Sequence, residues 1–233
     1  MLSAHKSRWA EEHGYAKVEP NAWGMGWEYN GTMPLMLEDN WLPATLSPPR
    51  MTDEEFLAFC AEHPDLNFET TASGDLIVMP QTFTKTGIRN QEISGQLWAW
   101  SRNDGRGTAA DSSTGYVLPN GARRSPDASW MPEQRIRDLD KDARERFYRL
   151  CPDFVIELRS ESDRLATLRE KMRDWVANGA QVAWLIDPTR RVVEIFRPGR
   201  ESEVRENASA VEGEGPVAGF VLDLLPVWKD PSE

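Results

Sequence analysis

The sequence predicts an α+β protein in which a mixed central sheet is flanked by helices. Three observations carry that prediction. DFVIEL (153–158) is an apolar strand interrupted by acids, 163–178 has apolar residues at helical spacing, and AWLI (183–186) and VVEIF (192–196) are two further strands joined by an Asp187-Pro188 turn.

Residues 1–50 read as an N-terminal extension. Pro20, Pro34, Pro43, Pro48 and Pro49 are scattered among Gly and Asn, with Trp9, Trp23, Trp27 and Trp41 interspersed and only a short helix suggested near 3–13. The expected division is an extension over 1–50, a domain over 51–228 and a tail over 229–233. The domain opens with Thr52-Asp53-Glu54-Glu55, a capping-box start, followed by an apolar face of Phe56, Leu57 and Cys60 and a stop at Pro64. Residues 66–70 and 75–79 alternate around Ser73-Gly74 as a hairpin. An amphipathic helix is expected from about 86 to 102, with Ile88, Ile93, Leu97 and Trp100 inward and Asn103-Asp104-Gly105 at its end. Strands near 106–111, 114–118 and 126–131 follow, then a charged, partly helical crossover at 133–150. Beyond 196 the chain is acidic and ends in a strand-like GFVLDL (219–224).

Composition narrows the function classes. Apolar content of 39% and charged content of 28% are those of an ordinary globular protein. No run of 18 apolar residues is present, so no membrane helix is expected, and the first residues lack a signal-type apolar core, which leads to an expectation of a cytoplasmic protein. Cys60 and Cys151 have no metal-type spacing and read as buried thiols; His5, His13 and His63 all lie near the start, which argues against a His-built zinc site. The net charge of −11 opposes non-specific binding to nucleic acid. Residues 122–173, however, hold 13 of the 27 Lys and Arg residues against 11 acids, so basic side chains gather around the residues considered next.

Asp127, in Ser125-Pro126-Asp127, and Glu157, in the DFVIEL strand, form the informative pair. Strand alternation puts Phe154, Ile156 and Leu158 on one face and Val155, Glu157 and Arg159 on the other. A carboxylate inside an apolar strand must be paired, protonated or metal-bound. A salt bridge to a nearby arginine is the plain structural explanation, and Asp127 alone is an ordinary strand-start residue. Together they supply what a magnesium-type ion requires: one or two carboxylates, completed by water and phosphate oxygens. Lys171 lies on the flank of the Leu165, Leu168, Met172, Trp175 and Val176 stripe, roughly 40° from Trp175, with Arg164 on the same flank. Its ammonium can snorkel toward the carboxylates; its ordinary alternative is a solvated lysine near Asp174 or Trp175. Glu69 on the hairpin and Asn90, with Gln91 and Glu92, on the first long helix are accessory possibilities, and Arg123-Arg124 is a candidate phosphate-facing pair.

These motifs in order, SPDASW (125–130), CPDFVIELRSESD (151–163), the helix with Lys171 and WLIDP (184–188), resemble the Uma-two family of endonucleases within the PD-(D/E)XK nuclease superfamily. DSSTGYVLPNGARR (111–124) and GFVLDL are similar to it too, so the resemblance covers about 52–228. It implies a restriction-endonuclease-like PD-(D/E)XK core and a divalent-metal site. Asp127 and Glu157 then bind Mg2+ (or Mn2+), and Lys171 replaces the lysine expected where this chain has Arg159, with Arg159 as second choice. The function implied is metal-dependent hydrolysis of phosphodiester bonds in DNA, with a homodimer compatible with such nucleases. The alternative is a non-catalytic member that binds nucleic acid or protein, which the acidic net charge and Arg159 favour, since arginine cannot act as a general base.

Overall fold

In the computed structural model, residues 16–17, 35–36, 44–48, 50–79, 82–139 and 147–230 are described. The short helix expected near 3–13 and the four tryptophans of the extension lie outside them, as do 140–146 of the crossover. The chain divides into two units, Met1–Gln81 and Thr82–Glu233.

In the first unit, β1 (Ala16–Lys17) pairs in parallel with β2 (Leu35–Met36). A second sheet has β5 (Leu76–Met79) at its centre, with β3 (Ala44–Leu46) and β4 (Asn67–Thr70) antiparallel on either side. β3 thus brings residues of the Pro- and Trp-containing segment into the sheet. Helix α1 (Asp53–Glu62) begins with the expected capping box: Glu55 N–H donates to Thr52 Oγ1 at 3.2 Å and Thr52 N–H to Glu55 Oε2 at 2.7 Å. Its buried residues are Phe56 and Phe59, whereas Leu57 and Cys60 are only half-buried, because Phe59 packs edge-on against Phe68 of β4.

The second unit opens with α2 (Thr84–Asp104), closed by Gly105 in the left-handed conformation. Then come β6 (Gly107–Asp111), β7 (Tyr116–Val117), β8 (Arg123–Arg124), β9 (Ala128–Pro132), α3 (Glu133–Arg137), β10 (Phe154–Leu158), α4 (Leu165–Ala177), β11 (Val182–Asp187), β12 (Val192–Phe196), β13 (Glu203–Glu206), β14 (Ala210–Glu212), β15 (Val221–Asp223) and α5 (Leu225–Trp228). Six strands form one sheet in the order β13-β12-β11-β10-β9-β6. β10 and β11 run parallel and every other neighbouring pair is antiparallel, so the sheet is mixed as predicted. β7 and β8 pair antiparallel across the Pro119-Asn120-Gly121 turn.

Strand parity builds two cores. Phe154, Ile156 and Leu158 pack with Trp184 and Ile186 against Ile93 and Leu97 of α2. Val155, Ala183 and Leu185 pack against Met172 and Trp175 of α4. Helices therefore cover both faces, and the second face carries Glu157. Ile88, expected inward, is exposed: five residues before Ile93, it is turned roughly 140° from the buried stripe. β13 and β14, hidden in the acidic stretch, are also revealed. β13 is an edge strand of charged residues with Val204 exposed, so no apolar alternation marks it. Among the described residues no helix is long and apolar enough to cross a membrane.

Candidate active site

Asp127 stands one residue before β9. The β9–β10 ladder pairs Ala128 with Ile156, and continuing that register by one step sets Asp127 opposite Glu157. Pro126 has no N–H for the ladder, and the Asp127 side chain takes up the strand's next amide: Leu158 N–H donates to Oδ2 at 2.7 Å. Asn90 Nδ2 on α2 donates to Oδ1, also at 2.7 Å. Asn90 lies one helical turn from Ile93, which anchors that stretch of α2 in the core. The other amide oxygen, Asn90 Oδ1, is buried without a hydrogen-bond partner. Although Asp127 as a residue is only half-buried, dense packing about its carboxyl raises its pKa above the ordinary aspartate value. The Leu158 amide, the Lys171 charge and Asn90 oppose that rise, and the charge of Asp163 adds to it.

Glu157, 4% exposed, projects from β10 toward α4. Its Oε1 accepts the indole N–H of Trp175 at 2.8 Å and lies 2.9 Å from Lys171 Nζ. The ammonium is also 3.4 Å from the carbonyl oxygen of Ser125, beside Asp127. Lys171 and Trp175 are four residues apart on α4, so one helical face delivers both donors to one oxygen. Asp127, Glu157, Lys171 and Asn90 are thus brought together.

Each of the remaining expected residues has its own surroundings. Arg159 NH1 is 2.7 Å from Asp187 Oδ2, and its guanidinium also donates to the Asp163 carbonyl. Pairing of Leu158 with Ile186 in the parallel ladder carries Arg159 alongside Asp187. Glu69 is a buried residue of β4 in the first unit, opposite Ile77. Gln91, Glu92 and Arg164 are exposed. Arg124 is largely buried and paired with Asp174 at 3.2 Å, a contact that takes up the acid expected as an alternative partner for Lys171. Sequence reasoning missed the role of Trp175, which it read as core. The signal that could have found it is its i+4 spacing from Lys171.

The donor set suits a hard divalent ion. Two carboxylates stand opposite each other, with an unpartnered amide oxygen beside Asp127. Among the described residues no third His, Cys, Asp or Glu joins them.

A model of the Uma2 family, described as "Putative restriction endonuclease", matches residues 53–225. The chain belongs to the Uma2 family. Seven chains of solved structures match this Uma2 member. One is a crystal structure of a "putative nuclease belonging to DUF820" from Anabaena variabilis, 21% identical, covering 76% of this chain and 97% of that one with a TM-score of 0.63. The likeness shows the fold, and with the family it makes the core restriction-endonuclease-like, as the motifs implied. A complex of DrdV with DNA is a distant match, 13% identical over 52% of this chain and 10% of that chain, with a TM-score of 0.34. No curated protein matches.

Proposed function

We propose that this Uma2 member is a metal-dependent endonuclease that hydrolyses phosphodiester bonds in DNA. One observation carries the reading: the register sets Asp127 opposite Glu157, and the Lys171 ammonium lies 2.9 Å from Glu157 Oε1. The family supports a nuclease, and the oxygen donors suit Mg2+ or Mn2+. Asp127 and Glu157 would hold the ion, which when bound polarises the scissile phosphate and lowers the pKa of a coordinated water. Asn90 and the Leu158 amide orient Asp127, and Trp175 orients Glu157. Lys171 stands where its charge can offset negative charge developing on the phosphate or align the attacking water. Arg159, held by Asp187, is kept for the strand end rather than the chemistry.

A second reading has its own observation. An arginine stands two residues after Glu157, and its engagement with Asp187 leaves the position without the usual lysine, as in a nuclease fold used only for binding. Cleavage of duplex DNA with Mg2+ or Mn2+, run beside calorimetric titration of each metal, separates the two. The nuclease predicts carboxylate-dependent metal binding and cutting, both lost in Asp127→Ala, with the rate down by at least about a hundredfold. Wild-type protein that takes up no metal through these carboxylates would falsify the reading; metal uptake without cleavage supports the binding module.

A further inference from the structure

Oε1 of Glu157 receives two donors of very different mobility. The indole of Trp175 is fully buried and stands edge-on to Tyr116, whose ring centroid is 6.3 Å away and whose hydroxyl lies 2.7 Å from Ser129 Oγ. Lys171 reaches the same oxygen on a flexible four-carbon stem, with its side chain 14% exposed.

We propose that Lys171 is the resident counter-ion of the site, and that a divalent cation enters by displacing its ammonium from Glu157 while Trp175 holds the carboxylate in place. The inference rests on the metal reading above. A buried carboxylate such as Glu157 needs a compensating charge in every state, and in the metal-free protein the ammonium at 2.9 Å supplies it. A dication binding the same carboxylate meets that ammonium at close range, where like charges repel strongly. Two donors already fill Oε1, so the ion must use the other oxygen or take the place of one donor. The lysine stem can swing; the indole, locked in the core, cannot. Displaced from Glu157, the ammonium remains on the same face of α4, where it can meet the phosphate. Arg159 cannot stand in for it, because Asp187 holds the guanidinium. Trp175 is in this sense a positioning residue, acting through Glu157.

The test is calorimetric titration of Mn2+ into the full chain as wild type, Lys171→Met, Lys171→Arg and Trp175→Phe, all at one pH, with a thermal melt of each. Lys171→Met is expected to bind Mn2+ on the order of tenfold tighter than wild type, since a unit charge beside the ion is gone. Lys171→Arg should stay within about threefold of wild type because the charge is kept. Trp175→Phe should weaken binding by roughly ten- to a hundredfold, as loss of an outer-shell partner does. A folded Lys171→Met that binds no tighter, or a folded Trp175→Phe that binds as wild type, overturns the proposal even though the wild type binds metal. A wild type that binds none overturns the metal reading with it. Should Lys171→Met fail to melt cooperatively, the wild type decides through the nitrogen-15 ammonium resonance of Lys171, identified by its absence from the Lys171→Arg spectrum. Its shift or loss on saturation with Mg2+ is the expected result, and an unchanged resonance refutes the exchange.

Discussion

Asp127 illustrates how a single residue can trade stability for a charge. Burial raises its pKa, so the folded state takes up a proton more readily than the unfolded chain. The stabilising contribution is therefore fully present below the unfolded value of 3.8 and is lost as the pH rises through the folded pKa. Above the folded pKa the metal-free protein bears the cost of a charged Asp127. Asn90 makes the neutral form easy to accommodate, because a flipped amide would turn its unpartnered Oδ1 toward a donor at position 127. Asp127→Asn is thus expected to raise the melting temperature of metal-free protein at neutral pH by roughly 2–4 °C, the equivalent of about 1 kcal/mol. Melts over a pH series check this: the gain must shrink as the pH falls toward the ordinary aspartate value, and a pH-independent gain refutes the assignment. Asp127, Glu157 and Lys171 were legible in the sequence because strand alternation and helical spacing are local rules. Arg159 was misleading for the opposite reason: it is close to Glu157 in the chain, yet the parallel register delivers it to Asp187.

Among the elements, β10 and α4 announced themselves, the one as an apolar strand and the other by its stripe. β6 is held by something less visible. A Cβ on Gly107 would come within 2.3 Å of both the Met131 carbonyl oxygen and the Trp130 ring on β9. This edge strand can pair with β9 only because residue 107 has no side chain. Gly107→Ala is expected to cost on the order of 1–3 kcal/mol, the range of overpacking, read as a lower urea midpoint with an unchanged slope. An unchanged midpoint would show that the strand can slide away from Trp130. The sequence set Gly107 inside an expected strand near 106–111 but gave no sign of what it faces, so the requirement came only with the neighbour. The same holds for Ile88 on α2, apolar in sequence but turned away from the core.

For the whole molecule, charge is the property the sequence states most openly and explains least. A net charge of −11 opposes approach to DNA, so binding in the proposed function must come from locally clustered cations such as Lys171. Affinity for a duplex, measured with Ca2+ in place of the catalytic ion, should fall roughly a hundredfold between 50 and 200 mM salt, as about four phosphate contacts require. Affinity indifferent to salt would remove the electrostatic basis of the reading. The sequence by itself determined the mixed sheet, the capping box at Thr52, the face on which Glu157 lies and the family to which the motifs belong. Each follows from residues close together in the chain. Tertiary structure alone decided that Asp127 stands opposite Glu157, that Lys171 and Trp175 share one oxygen of Glu157, and that Arg124 takes Asp174. Such pairings depend on the register between segments distant in sequence, and no local periodicity encodes which of several nearby charges a buried carboxylate will meet.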